Sequence, residues 1–248
     1  MKAAIMQPYF FPYIGYFQLM NAVDQWVIFD DTQFINKGWI NRNRVLHPDG
    51  AKEWQYIVAP LEKKSRFDKI CDISRHEDGN WKAKIMGQLS CYKKEAPYYR
   101  ETITFVEECV ASEEKNLTRF LEANLRKTAE MLGLATEIKV QSQLGLGLAT
   151  AGHPGQWALH IAEKIGASGY VNPHGGVAIF DEKEYEKVGI ELQFLKPTLK
   201  SYDQRRADFI SGLSIIDVMM WNSPAEIADM LKTGFALYSR DDLLKLMN

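Results

Sequence analysis

Two short apolar runs, each cut off by polar residues, constrain this chain of 248 residues more than any other feature. Ala3-Ala4-Ile5-Met6 is halted by Gln7-Pro8, and Gln25-Trp26-Val27-Ile28-Phe29 ends abruptly at Asp30-Asp31. Short continuous apolar runs suit strands buried on both faces, which is how the strands of a parallel sheet read. Between them lie an aromatic loop, Tyr9 to Gly15, and the segment 16–23, whose apolar positions fit a short buried helix. Strand, loop, helix, strand is a βαβ unit.

Further along, residues 54–61 read as a strand and 70–74 as a short one. The stretch 81–92 is helical in pattern, Pro97-Tyr98-Tyr99 breaks it, and Leu117, Phe120, Leu121 and Leu125 mark a long helix stopped by Gly133. A parallel pattern resumes with a strand over 136–141, a helix over 154–165 with Pro154 in its first turn and Gly166 past its end, and a strand over 169–172. Asp181 with Glu184, and Ser223 with Glu226, have capping-box spacing, and Gly189 and Gly234 close the helices they open. Between those helices lie a strand over 190–195 and an apolar helix over 213–221. The expected architecture is a single α/β domain over 1–248, a mainly parallel Rossmann-like sheet with helical additions, in which about 81–133 is a helical insertion.

The 30 Lys+Arg and 32 Asp+Glu leave a net charge of −2, so no long-range field draws nucleic acid and any such contact is a local basic patch. Cys71, Cys91 and Cys109 are odd in number and scattered, with no close-spaced partners in a zinc pattern, which suits thiols of a cytoplasmic protein. The run Ala3 to Met6 is far too short for a signal-peptide core or a membrane span. Without a Gly-x-Ser-x-Gly elbow, a Walker loop or a dinucleotide fingerprint, a Ser nucleophile and a bound nicotinamide are disfavoured. No metal-ligand set is recognisable, and no particular cofactor is implied.

In an open parallel sheet ligands bind beyond the carboxyl ends of the strands, so the polar residues that follow each strand carry the chemistry. The first cluster is Gln7-Pro8-Tyr9 through Tyr13-Ile14-Gly15-Tyr16, either a hydrophobic plug or a stacking wall at a helix N-terminus. The second holds Asp30, Asp31, Gln33, Lys37, Trp39, Asn41, Arg42 and Arg44. Its cations suit a phosphate or carboxylate, unless they simply pair with Asp30 and Asp31. The third joins Ser142 to Gly147 with Gly152-His153-Pro154, where His153 is a general base, a phosphate contact or only a helix-entry residue. The fourth, Asn172-Pro173-His174-Gly175-Gly176, is a tight turn that brings N–H groups to a ligand, or a turn and nothing more, with His174 a second acid or base. These clusters must converge for one site to form. Arg42 and His153 on opposite faces of the sheet would end that arrangement.

Four segments together resemble the WbqC-like protein family: Gln7-Pro8-Tyr9-Phe10-Phe11-Pro12-Tyr13-Ile14-Gly15-Tyr16-Phe17, the run from Asp30-Asp31-Thr32-Gln33-Phe34 to Arg42-Asn43-Arg44, Gly166-Ala167-Ser168-Gly169-Tyr170-Val171-Asn172-Pro173, and Phe209-Ile210-Ser211-Gly212-Leu213-Ser214-Ile215-Ile216-Asp217. The resemblance spans nearly the whole chain and implies association with bacterial O-antigen and other surface-polysaccharide gene clusters. The opening order of elements is also similar to nucleotidyltransferases and class I synthetases, but Tyr13-Ile14-Gly15-Tyr16 stands where their His-x-Gly-His loop holds ATP phosphates. The leading expectation is a transferase that places an acyl or aminoacyl group, such as glycyl, on an amino sugar precursor. Its partners would be a nucleotide- or lipid-linked sugar and an aminoacyl-tRNA or other activated acyl donor. In that reading Lys37, Arg42 and Arg44 hold phosphate, Tyr9 to Tyr16 stack a base or sugar, Asp31 orients the sugar, and His153 or His174 takes a proton from the attacking amine. The alternatives are a nucleotidyl-transfer enzyme using Asp30 and Asp31 with Mg²⁺, and a non-catalytic sugar or nucleotide binder.

Overall fold

The first apolar run forms β1 (Lys2–Met6), the aromatic segment leads into α1 (Ile14–Asn21), and the second run forms β2 (Gln25–Ile28), all in a computed structural model that describes residues 1–77 and 79–247. There follow β3 (Arg42–Leu46), β4 (Trp54–Val58), α2 (Trp81–Leu89), α3 (Tyr99–Val110), α4 (Leu117–Met131) and β5 (Glu137–Val140). The last third holds α5 (Pro154–Lys164), β6 (Gly169–Pro173), α6 (Glu182–Lys187), β7 (Glu191–Pro197), α7 (Ile215–Trp221), α8 (Pro224–Thr233), β8 (Phe235–Tyr238) and α9 (Arg240–Met247).

Six strands make one sheet in the order β5-β2-β1-β6-β7-β8, parallel except for β8 at the edge. The chain leaves β1 toward β2 and β5, then returns to β6 and β7 on the other side. The order therefore reverses between β1 and β6, the switch point at which a parallel sheet opens a crevice beyond its carboxyl ends. Alternation along the strands divides the core. Ala4, Trp26, Ile28, Ile138 and Val171 face a layer that includes α1, α4, α7 and α8, together with buried residues of α2 and α3. Ala3, Ile5, Val27, Tyr170 and Phe194 face the other layer, with Leu159 and Ile161 of α5, Tyr185 of α6 and Leu243 of α9. Each large side chain buried in this way contributes about 1.5–3 kcal/mol relative to exposure.

Several elements differ from the sequence reading. The strand expected at 54–61 stops at Val58 and pairs antiparallel with β3 in a hairpin outside the main sheet. Its partner, 42–46, is a strand because Asn43 and Val45 turn inward while Arg42 and Arg44 turn out. The short strand expected at 70–74 contains a turn of 3₁₀ helix, Ile70–Asp72, since its amides are drawn to the carbonyls of Thr32 and Asp30. Pro97-Tyr98-Tyr99 not only ends a helix but begins α3, which buries Phe105, Val106, Cys109 and Val110. The Ser223–Glu226 capping box forms in full. At Asp181 only half of one does: the Asp181 carboxylate caps the Lys183 amide at 3.0 Å, and Glu184 turns elsewhere. Among the described residues no helix is long and apolar enough to cross a membrane.

Candidate functional site

At the carboxyl end of β1 the aromatic cluster is mostly a plug. Phe10, Phe11, Ile14, Tyr16 and Phe17 are buried, and the Tyr16 hydroxyl donates to the Gln7 carbonyl at 3.0 Å. Phe11 takes a left-handed φ of 43°, uncommon for a bulky residue, and its carbonyl is pinned by Asn43 Nδ2 at 2.9 Å and Ser214 Oγ at 2.8 Å. The Tyr13 ring lies over Gly15, where an added Cβ would come within 2.3 Å of it. Gly15 and Tyr16 are thus used in packing, whereas half-buried Tyr9 and Tyr13 keep ring surface at the rim. Burial pushes both of their phenols above the usual value, with Tyr13 adding to the effect on Tyr9.

Asp30 and Asp31 do not pair with Lys37, Arg42 or Arg44. Asp30 is fully buried at the end of β2, where its carboxylate accepts from Ser142 Oγ at 2.6 Å and from the Ser142 amide at 3.0 Å. Asp31 meets Lys69 at 2.5 Å, and its amide donates to Gln141 Oε1 at 3.2 Å. The two acids diverge because neighbouring residues of a chain leaving a strand point to opposite sides. The Asp31–Lys69 pair is half exposed, so it adds little stability.

The cations lie elsewhere. Arg42 donates to the carbonyls of Gly38 and Lys37 and stacks over Tyr56, 4.1 Å from its centroid. Arg44 sits 5.2 Å from the ring centroids of Trp39 and Trp54 and donates to the Gly212 carbonyl at 3.1 Å. Lys37 is an exposed turn residue with φ 60°, Asn41 Nδ2 bonds the Ala59 carbonyl at 2.8 Å, and Gln33 Nε2 bonds the Arg66 carbonyl at 2.6 Å.

His153 stands at the N-cap of α5, and its Nε2 lies 2.9 Å from Glu184 Oε2 of α6. The other oxygen, Glu184 Oε1, accepts from Gln156 Nε2 at 2.8 Å, while Gln156 Oε1 accepts the Gly152 amide at 2.7 Å. This network fixes the imidazole against a carboxylate. With Nε2–H donated to Glu184, the neutral form of the ring has its lone pair on Nδ1. The approach, 144–152, alternates: half-buried Leu144, Leu146 and Leu148 pack on the α5-side core, and Gly145 and Gly147 face out.

Near the end of β6, buried Asn172 accepts from the Tyr170 hydroxyl at 2.9 Å and donates to the Pro173 carbonyl at 2.9 Å. A Cβ on Gly176 would approach Asn172 Nδ2 to 2.2 Å, so this glycine is needed for the close contact. His174 opens the 3₁₀ turn His174–Gly176, half-buried, with Nδ1 shut away from solvent and unpartnered; Gly175 is exposed.

The first three clusters therefore meet in sequence, and the third reaches α6 rather than the turn 172–176. The β1 loop meets the second cluster through Asn43 and through the Phe10 amide on the Trp39 carbonyl, the second meets the third at Asp30–Ser142, and the third meets α6 through His153–Glu184. No contact joins Arg42 or Arg44 to His153 among the described residues. Val45 and Leu46 of the hairpin belong to the α1-side core and Leu159 of α5 to the opposite one.

Sequence reasoning missed the roles of Glu184 and Lys69, and it missed Asp217. Glu184 reads as half of a capping box, and nothing in the sequence singles out Lys69. Asp217 is fully buried and accepts from Tyr92 at 2.7 Å, Tyr202 at 2.6 Å and Gln204 at 2.8 Å; burial raises its carboxyl above the ordinary range against the lowering effect of those bonds. An acid inside Ile215-Ile216-Asp217-Val218-Met219 was the available signal. Burial pushes the Cys71 and Cys91 thiols up to about 11 and Cys109 up to about 12, so at neutral pH each is a poor nucleophile.

The sequence signature of the WbqC-like protein family matches residues 7–229. An uncharacterized protein of Mycobacterium tuberculosis, Rv1507c, is 24% identical over 233 residues, 93% of this chain and 97% of that protein. No solved structure matches the chain.

Proposed function

The chain belongs to the WbqC-like protein family, and from that premise we propose that it is a transferase whose reacting centre lies at the carboxyl edge of the sheet, around His153 and Glu184. The observation that carries this reading is the 2.9 Å bond between the two, which orients the imidazole as a general base is oriented in hydrolases and acyltransferases. The group moved is acyl or aminoacyl, such as glycyl, and the acceptor is the amine of a nucleotide- or lipid-linked amino sugar. His153 Nδ1 takes the proton as the amine attacks the acyl carbon, Glu184 stabilises the imidazolium, and the bond from the acyl carbon to the donor's leaving heteroatom breaks as the imidazolium returns the proton to it. The raised thiols favour this direct attack over a covalent cysteinyl intermediate.

The switch point between β1 and β6 supplies the binding surface. Gln7 and Tyr9 follow β1; Asn172 lies near the end of β6, and His174, Gly175 and Gly176 follow it. His174 has no carboxylate partner among the described residues and is assigned to binding rather than proton transfer. The competing reading, nucleotidyl transfer on a nucleotidyltransferase-like sheet, requires Asp30 and Asp31 to share a divalent ion. It is less favoured, since Asp30 is bound to Ser142 and Asp31 to Lys69.

A thermal-shift screen separates the two, because a ligand of the native state raises Tm by linkage. A UDP-linked amino sugar is expected to raise Tm without added metal. Stabilisation by ATP with Mg²⁺ and not by the amino sugar would overturn acyl transfer in favour of nucleotidyl transfer.

A further inference from the structure

Between the β3–β4 hairpin and the segment 206–211 lies a cavity of about 440 Å³, lined among others by Arg44, Glu53, Trp54, Arg206, Asp208 and Phe209. Its size is that of a small-ligand pocket. We propose that it is a binding site for a hydroxyl-rich ligand bearing one anionic group, a uronic acid or a sugar phosphate, anchored on Arg44. The site belongs to the hairpin layer and stands independently of the His153 reading.

Three observations point there. First, the Arg44 guanidinium is held at 5.2 Å from the rings of both Trp39 and Trp54, and Nη2 is tied to the Gly212 carbonyl, so the group is fixed before any ligand arrives. Its Nη1 makes no bond among the described residues, leaving a planar donor for a carboxylate or phosphate oxygen. Second, the lining is balanced in charge. Glu53 and Asp208 are exposed and in no ion pair among the described residues, while Arg206 is occupied with the carbonyls of His47 and Lys52. One available guanidinium facing two free carboxylates disfavours a polyanion and suits hydroxyls, which donate to carboxylates. Third, Trp54 and Phe209 give ring surface on the wall, and Trp39 beside Arg44 remains 37% exposed, as the C–H faces of a sugar require.

The test is a titration of the full-length protein with sodium glucuronate, glucose 1-phosphate, glucose and inorganic phosphate, read from the indole N–H signals of Trp39 and Trp54. These signals are expected to shift saturably with at least one anionic sugar, and glucose and phosphate should each bind at least about tenfold more weakly. Preference for glucuronate identifies a carboxylate ligand and preference for glucose 1-phosphate a phosphorylated one. Arg44→Lys should weaken binding at least about tenfold through loss of the planar fork. If that variant does not fold, Asp208→Asn, on the exposed rim, should weaken sugar binding without moving Tm. The proposal falls if neither anionic sugar shifts the two indoles, if glucose or phosphate alone binds as well, or if the folded variants bind like the parent.

Discussion

The β3–β4 hairpin and the α5–α6 corner both look in sequence like dense polar clusters after a strand, yet they fold into opposite kinds of environment. In the hairpin the charges are cations laid on aromatic rings and bonded to backbone carbonyls, as Arg42 is on Tyr56 and Gly38. At the corner a histidine meets a carboxylate whose second oxygen is held by Gln156. In the proposed reading a guanidinium on a ring holds a ligand, and an imidazole on a carboxylate moves a proton. Residue counts do not distinguish binding from proton transfer, whereas the partner of each charge does.

The comparison breaks at the corner if the network is merely structural. His153→Ala is expected to lower the transfer rate by about 10²–10⁴, the usual contribution of a general base, with little change in Tm. Glu184→Gln keeps the shape but not the charge and should lower the rate less, by about tenfold; equal Tm values for both variants and the parent would show that the rates report chemistry.

Asp217 supplies the next largest effect, on stability. It ties Tyr92, beside the hairpin, to Tyr202 and Gln204, and Tyr92 also accepts the Leu46 amide at 2.9 Å. Asp217→Ala should cost about 3 kcal/mol or more in urea unfolding, since it strands several buried donors. Because burial raises the folded-state carboxyl, its contribution is fully present below the unfolded value and is lost as pH rises through the folded value. The difference in stability between the parent and Asp217→Asn should shift with pH in that sense.

Smaller effects sharpen the contrast at the two loops. Gly176→Ala forces a Cβ onto Asn172 Nδ2 and should cost about 1–3 kcal/mol, since that amide is itself bonded to the Pro173 carbonyl. At Gly15→Ala the nearest atoms to the new Cβ are those at the far end of the Tyr13 ring, a side chain rather than backbone. There the better helix propensity of Ala, worth about 1 kcal/mol, should offset most of the clash, leaving Tm nearly unchanged.

The βαβ start, the strands 137–140, 169–173 and 191–197, and helices α4, α5 and α8 were legible because continuous apolar runs and caps are local signals. The hairpin was half legible: its second strand was read, but Arg42-Asn43-Arg44 hides an inward asparagine that bonds the Phe10 and Phe11 carbonyls, a demand set by a distant loop. Strand β8 and α9 went unread because Phe235–Tyr238 is only half-buried and owes its form to pairing with β7. Around the proposed centre, the helix-entry place of His153 was legible from Pro154. Glu184 was not, since its partner lies thirty-one positions away and its spacing from Asp181 satisfies a capping rule that the fold does not use.

The most direct test of the account follows transfer and binding together in His153→Ala. A UDP-linked amino sugar should raise Tm in the variant as in the parent, while the transfer rate falls by about 10² or more. A variant that binds and transfers like the parent would contradict it, and would return His153 to the role of a helix-entry residue paired with Glu184.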